Sequence, residues 1–328
     1  MNVLVLLPLT PAQRARLTEA APDATIVYAT PDASGTGMGL DGPEITPRLL
    51  AQADVIIGNI EPSRLSDTRH LKLLQLNSAG YDAYAAPGTV PAGTQLANAR
   101  GAYGQAVSEH MLASTLALMK HLPGYVRAQQ THAWTDLGPV TSLAGAQVLV
   151  LGTGDIGSHY AQLAHALGAR VTGIRRHARG ADEPLPAGFT DMCGIDELYD
   201  QLPQADVVAA CLPSTPATRG LADARFFAAC KTDALFVNAG RGDLVDYDAL
   251  ATALHLGPLA GATLDVTAPE PLPAESPLWD IPNLLITPHI SGGFHLPATL
   301  DRIVDITADN LRRLSADEPL HNIVATGR

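Results

Sequence analysis

The sequence predicts an α/β protein of two doubly wound parallel-sheet domains, and three observations carry that prediction. Short apolar runs alternate with helical patterns from end to end, the signature of parallel strands joined by crossover helices. The length, 328 residues, is ample for two hydrophobic cores. One strand-to-helix junction, "VLVLGTGDIGSHYAQLAHALGARV", spaces its glycines as a phosphate-cradling turn does. Apolar residues make up 46% and charged residues 16% of the chain, which fits globular domains, with disorder expected nowhere but at the ends.

In chain order, the first strands are "NVLVLL" at 2–7, "TIVYA" at 25–29, "DVIIG" at 54–58 and "LKLLQL" at 71–76. No basic region precedes the opening run and Pro8 ends it after a strand's length, so it reads as a strand and not a signal peptide. A long apolar helix is expected from Tyr103 to Leu122, stopped by Pro123 and Gly124. Its apolar girth suits burial against another subunit, and a homodimer is expected. A second series follows: "QVLVLG" at 147–152, "RVTGI" at 170–174, "DVVAAC" at 206–211, "ALFVN" at 234–238, "GATLDV" at 261–266 and "LLIT" at 284–287. These suffice for a full doubly wound sheet. Trp134 and Trp279 are expected in the core.

Charge and composition exclude several function classes. With 33 acidic against 21 basic residues, a formal net charge of -12 repels a phosphate backbone, so no nucleic-acid partner is expected. No apolar run approaches the roughly 20 residues that span a bilayer, so no membrane partner is expected either. Cys193, Cys211 and Cys230 are odd in number and lack CxxC spacing. They read as interior residues of a reducing compartment, and a cytoplasmic location follows. No cluster has metal-ligand spacing, so no metal is expected.

The turn from Gly152 through Gly154, Asp155 and Ile156 to Gly157 is the expected coenzyme cradle of a Rossmann-type domain. Gly152 and Gly154 permit a tight turn and close backbone approach to a pyrophosphate. Gly157 lets helix and strand touch, and the helix N-terminus offers free N–H groups to the anion. Gly168 is a natural end for that helix. At the end of the following strand, where an acidic residue would hold ribose hydroxyls, the chain reads "GIRRHAR", with Arg175 and Arg176 in place and no acid before Asp182. Guanidinium groups there suit a 2′-phosphate, which favours NADP(H), with NAD(H) still possible.

Three further segments put one ionisable residue just past a strand end: "FVNAGRGDLVD" (Arg241), "LDVTAPEPLP" (Glu270) and "LLITPHISGG" (His289). Such ends are where open α/β sheets bind ligands. A hydride arriving at a ketone leaves charge on oxygen, which a protonated imidazole can quench. A carboxylate orients that imidazole, and an arginine can hold a substrate carboxylate. His110, His121, His159 and His165 fall in helical stretches and read as packing or surface residues, while His295 follows the "SGGF" loop.

These motifs, with "LPSTPATRGL", "SPLWDIPNLL" and "LQLNSAGYD", make the chain similar to the D-isomer-specific 2-hydroxyacid dehydrogenase family over essentially its whole length, in the manner of glyoxylate/hydroxypyruvate reductases. The resemblance implies Arg241 for substrate, His289 as acid/base and Glu270 as its partner. It implies Asp265 near the nicotinamide carboxamide and the N–H groups of Ala79 and Gly80 around the substrate carboxylate. Leu212, Pro213 and Ser214 would run along the adenosine, and Tyr103 would either line the substrate side or begin the long helix. It also implies a smaller flavodoxin-like substrate domain of residues 1–98 and 294–328, a dinucleotide-binding domain of 99–293, and a site in the cleft between them. The expected activity is reduction of a small 2-keto acid to the (R)-2-hydroxy acid by NADPH. The rivals are an NAD-dependent 2-hydroxyacid dehydrogenase and a non-catalytic, corepressor-like dinucleotide sensor.

Overall fold

The computed structural model describes residues 1–29, 44–178, 180 and 183–327. Two compact units emerge, Met1–Tyr103 with Leu296–Arg328, and Gly104–His295. The chain crosses between them at 103/104 and 295/296, where 98/99 and 293/294 were expected.

In the first unit, β1 (Asn2–Val5), α1 (Pro11–Ala20), β2 (Thr25–Tyr28), α2 (Pro47–Gln52), β3 (Val55–Ile57), β4 (Leu73–Gln75) and β5 (Gln95–Ala97) precede the crossing. The sheet runs β13-β5-β4-β3-β1-β2, with β13 (Ile323–Thr326) returning from the chain's far end. That is the flavodoxin-like order 2-1-3-4-5, extended by one strand antiparallel to β5. The sequence reading contained neither β5 nor β13, whose three or four residues are too few to show a period. Thr10 caps α1 by accepting the N–H of Gln13, whose side chain returns the bond, with Pro11 in the first turn. The returning helix of this unit, Pro297–Ser315, buries Leu300, Ile303, Val304 and Leu311 on one face. From it Asn310 donates to Gln75 Oε1 at 2.7 Å, both side chains fully buried.

The second unit opens with α3 (Gly104–Met119) and α4 (Leu122–Gln130). The expected helix from Tyr103 to Leu122 is α3, which ends at Met119, but the expected stop at Pro123 and Gly124 lies in the first turn of a further helix, α4. His121 takes a left-handed conformation (φ 54°) that ends α3 and precedes α4, where Pro123 sits harmlessly because first-turn N–H groups have no helical partner anyway. Then follow β6 (Gln147–Leu151), α5 (Asp155–Ala166), β7 (Arg170–Arg175), β8 (Asp191–Gly194), α6 (Leu198–Gln201), β9 (Val207–Ala210), α7 (Ala224–Ala228), β10 (Ala234–Asn238), α8 (Tyr247–His255), β11 (Leu259–Leu264) and β12 (Leu284–Ile286). The returning helix named above is α9. The strands form one parallel sheet in the order β12-β11-β10-β9-β6-β7-β8. The order reverses between β6 and β9, the switch point at which such sheets hold ligands.

Phe226, Phe227 and Phe236 anchor this unit's core edge to face, with ring centroids 5.3, 5.4 and 6.0 Å apart. The Tyr160 hydroxyl of α5 meets Thr115 Oγ1 of α3 at 3.0 Å, both buried. The two tryptophans are not core residues. Trp134 is wholly exposed on the segment after α4, and Trp279 is half exposed with its indole N–H donated to the Pro273 carbonyl. Each lies outside a sheet-facing position, a placement that composition does not encode.

Candidate active site

The coenzyme cradle is built where β6 enters α5. Gly152 adopts φ 95°, and a Cβ there would come within 3.0 Å of the Cys211 carbonyl oxygen. At Gly157 a Cβ would fall 1.9 Å from the Gly152 carbonyl oxygen, so only glycine lets the helix start against the strand's end. Nothing lies within 4 Å of the position a Gly154 Cβ would take, and no side chain caps this helix. The first helical bond runs from the Ser158 N–H to the Gly154 carbonyl, which leaves the N–H groups of Asp155, Ile156 and Gly157 directed at the open side. These residues fit a pyrophosphate. Gly168, at φ 89°, follows the helix end as expected.

Leu212 and Pro213 pass the far side of the same switch point. A Cβ on Gly240 would lie 2.6 Å from the Leu212 carbonyl oxygen, so this segment and the Arg241 loop touch backbone to backbone. The Ser214 hydroxyl donates to Asp243 at 2.6 Å and accepts from Arg219 Nε at 3.0 Å.

Arg175 closes β7, but its fork does not stand open. Nη1 and Nη2 donate to the two oxygens of Glu183 at 2.7 and 2.5 Å, and Nε donates to the His177 carbonyl at 3.0 Å. Arg176 is exposed. Arg179 and Asp182 lie outside the described residues.

Arg241, Glu270 and His289 follow the ends of β10, β11 and β12. Asn238, buried at the end of β10, donates to the Arg241 carbonyl at 2.9 Å and accepts the Gly240 N–H at 3.0 Å. One side chain thereby shapes the whole "NAGRG" turn. Arg241 is half buried, with Nη1 donated to the Gly240 carbonyl. Past β11, the Asp265 carboxylate is buried and accepts from Thr287 Oγ1 at 2.5 Å, from the N–H groups of Ile290 and Ser291 at 3.1 and 3.2 Å, and from the Ser291 hydroxyl. Its main-chain carbonyl accepts the His289 N–H at 2.8 Å. Asp265 thus moors the loop that holds His289 in a left-handed conformation, φ 52°, a strained state for a residue with a side chain.

His289 Nδ1 lies 2.9 Å from Glu270 Oε2, and Glu270 Oε1 accepts the Thr267 N–H at 2.9 Å. A carboxylate can only accept, so Nδ1 carries the proton and Nε2 is the position free to exchange one. The Arg241 and Glu270 loops are one body: a Cβ on Gly242 would stand 2.0 Å from the Thr267 carbonyl carbon. The Tyr247 hydroxyl joins them, accepting the Ala268 N–H at 2.7 Å and donating to the Gly242 carbonyl at 3.1 Å. Behind them His110 Nε2 lies 3.1 Å from Thr287 Oγ1. Because that hydroxyl spends its proton on Asp265, His110 is the donor. Sequence reading named neither Tyr247 nor Asn238, and took His110 for a packing or surface residue.

In the first unit, the loop after β4 carries Ala79 and Gly80. Their carbonyls are held by Asn98 Nδ2 and the Ser78 hydroxyl, both at 2.6 Å. Their N–H groups make no hydrogen bond among the described residues, so a pair of donors is available. Tyr103 is buried just before α3, and its hydroxyl is donated to the Asn77 carbonyl. Among the described residues no three of His, Cys, Asp and Glu are grouped to hold a metal ion, and no helix is long and apolar enough to cross a membrane.

A glycine turn that fits a pyrophosphate at a switch point, with an imidazole held by a carboxylate in the same unit, is the geometry of a dinucleotide-binding domain. The comparisons give the family. Residues 112–291 match the model of the D-isomer specific 2-hydroxyacid dehydrogenase NAD binding domain, and the chain belongs to that family. A family member from Aeromonas salmonicida subsp. salmonicida has a crystal structure that aligns over 99% of this chain and 98% of its own, at 33% identity and a TM-score of 0.82. Another, from Xanthobacter autotrophicus Py2 in complex with NADPH and MES, covers 99% and 98% at 29% identity and a TM-score of 0.78. Glyoxylate/hydroxypyruvate reductase B of Escherichia coli O9:H4 (strain HS) is 30% identical over 75% of this chain and 77% of its own.

Proposed function

We propose that this chain is a cytoplasmic, NADPH-preferring reductase of small 2-keto acids, forming the (R)-2-hydroxy acid as a homodimer. The observation that carries the reading is the His289–Glu270 pair, 2.9 Å apart, with Nε2 left to exchange a proton and the Arg241 turn stacked on the same loop. NADPH, when bound, would supply the hydride that reduces the keto carbon. Arg241 would hold the substrate carboxylate and polarise the carbonyl, with the N–H groups of Ala79 and Gly80 as further donors. As charge develops on the carbonyl oxygen, imidazolium His289 would deliver its Nε2 proton to it. Glu270 holds Nδ1 as the donor and fixes the ring's orientation. The product leaves with one hydrogen on carbon and one on oxygen, and His289 regains its proton from solvent.

NADPH is favoured by Arg175 and Arg176 standing where a ribose-binding carboxylate is usual, and the Xanthobacter relative binds NADPH. The homodimer is supported by α4, which buries none of its residues, and by Leu122, Val126, Trp134, Leu137 and Val140, all exposed. The test is steady-state turnover on a panel of 2-keto acids with each coenzyme. His289→Ala and Arg241→Ala should each lower kcat/KM by about 10²–10⁴-fold; near-normal rates in either would refute the mechanism.

A further inference from the structure

We infer that Glu183 sets how sharply this chain discriminates between the two dinucleotides. The inference rests on the coenzyme reading above and adds a residue to it. A guanidinium presents five N–H donors in a plane and can take a bidentate partner end-on, between its terminal nitrogens, or side-on, at Nε and one terminal nitrogen. In Arg175 both places are filled: Glu183 accepts from both terminal nitrogens, at 2.7 and 2.5 Å, and the His177 and Ala178 carbonyls lie 3.0 and 3.5 Å from Nε and Nη2.

Two consequences follow for a ribose arriving at the end of β7. A 2′-phosphate gains the Arg175 fork only by displacing Glu183, and the displaced carboxylate, anchored eight residues away, remains close enough to repel the phosphate dianion. An unphosphorylated ribose meets a carboxylate at the strand's end, the group that accepts hydrogen bonds from 2′- and 3′-hydroxyls. Glu183 therefore restores, from the following loop, the acid that the strand itself lacks. Arg176, next in the chain and exposed, is a second guanidinium that a phosphate at this strand end can meet.

Both members of the pair are part exposed, with Glu183 at 45% and Arg175 at 28%. Exposed ion pairs are weak, so exchange of carboxylate for phosphate is feasible and the selectivity is graded. The chain accepts both coenzymes, and Glu183 narrows the gap between them.

The probes are 2′,5′-ADP and 5′-AMP, which differ only in the 2′-phosphate, titrated calorimetrically into the full chain without substrate. Glu183→Gln should tighten 2′,5′-ADP about tenfold and leave 5′-AMP unchanged or weaker. Glu183→Ala, which cannot hydrogen-bond the fork, should do the same. Arg175→Ala should weaken 2′,5′-ADP alone. Melting curves confirm that each variant is folded. If folded Glu183→Gln and Glu183→Ala both bind 2′,5′-ADP no tighter than wild type, the inference is overturned while the NADPH preference stands. If wild type instead favours 5′-AMP and the Glu183 variants shift that ratio toward 2′,5′-ADP, the inference holds and the NADPH preference fails.

Discussion

One hydroxyl, that of Tyr247, holds the Arg241 loop to the Glu270 loop. Burial pushes its phenol up to about 12, because the phenolate would lose its hydration, so it stays a neutral donor at every working pH. Tyr247→Phe keeps the ring and deletes both bonds, leaving the Ala268 N–H and Gly242 carbonyl without that partner. We expect a loss of about 1–3 kcal/mol in stability by denaturant titration. We also expect a fall in kcat of equal size at pH 6 and pH 9, since nothing in the bridge titrates between them; a fall confined to one limb of the profile would contradict this account. His289, Glu270 and Arg241 could be singled out from sequence because each couples a distinctive chemistry to a strand end. Tyr247 could not, because its partners are backbone atoms 5 and 21 residues away. His110 likewise depends on Thr287, 177 residues distant. The Arg175 position was readable too, whereas its engagement by Glu183 depends on how the loop beyond β7 folds back.

Among the elements, strands with four or five consecutive buried positions, β9 and β10, were legible as unbroken apolar runs. Strands β5, β8 and β13 were not, since three or four residues of mixed polarity carry no readable period. The long helix was legible as α3, but the restart at α4 was not: a left-handed His121 separates the two helices, and no local propensity announces a single αL residue. The split matters. It detaches α4 and the stretch to Val140, over a cavity of about 950 Å³ at the N-terminal edge of the sheet that is lined in part by Pro123, Arg127, Leu137 and Lys231. Covering that apolar stretch with a second copy predicts a dimer by sedimentation, and Val126→Asp with Leu137→Asp should convert it to monomer with little change in melting temperature, as both side chains are exposed. A wild-type chain that sediments as a monomer would remove the dimer from the reading.

At the scale of the whole molecule, both sheets follow doubly wound order, which alternation and length alone made legible, while the antiparallel closure by β13 was not. Residues 296–327 are no appendage: α9 plugs Asn310 into Gln75, and β13 covers the edge of β5. Removing residues 321–328 should expose that edge as a pairing template. The expected outcome is aggregation with selective loss of the first unit, read by hydrogen exchange in β1, β3 and β4 while the strands of the second unit stay protected; equal protection in both would contradict it. The closure also imposes a timetable on synthesis. The segment that leaves the ribosome first is the last to be complete, holding an open sheet edge throughout translation of the coenzyme-binding unit, so the nascent chain's exposure to chaperones and proteases is set by how long that middle section takes to make.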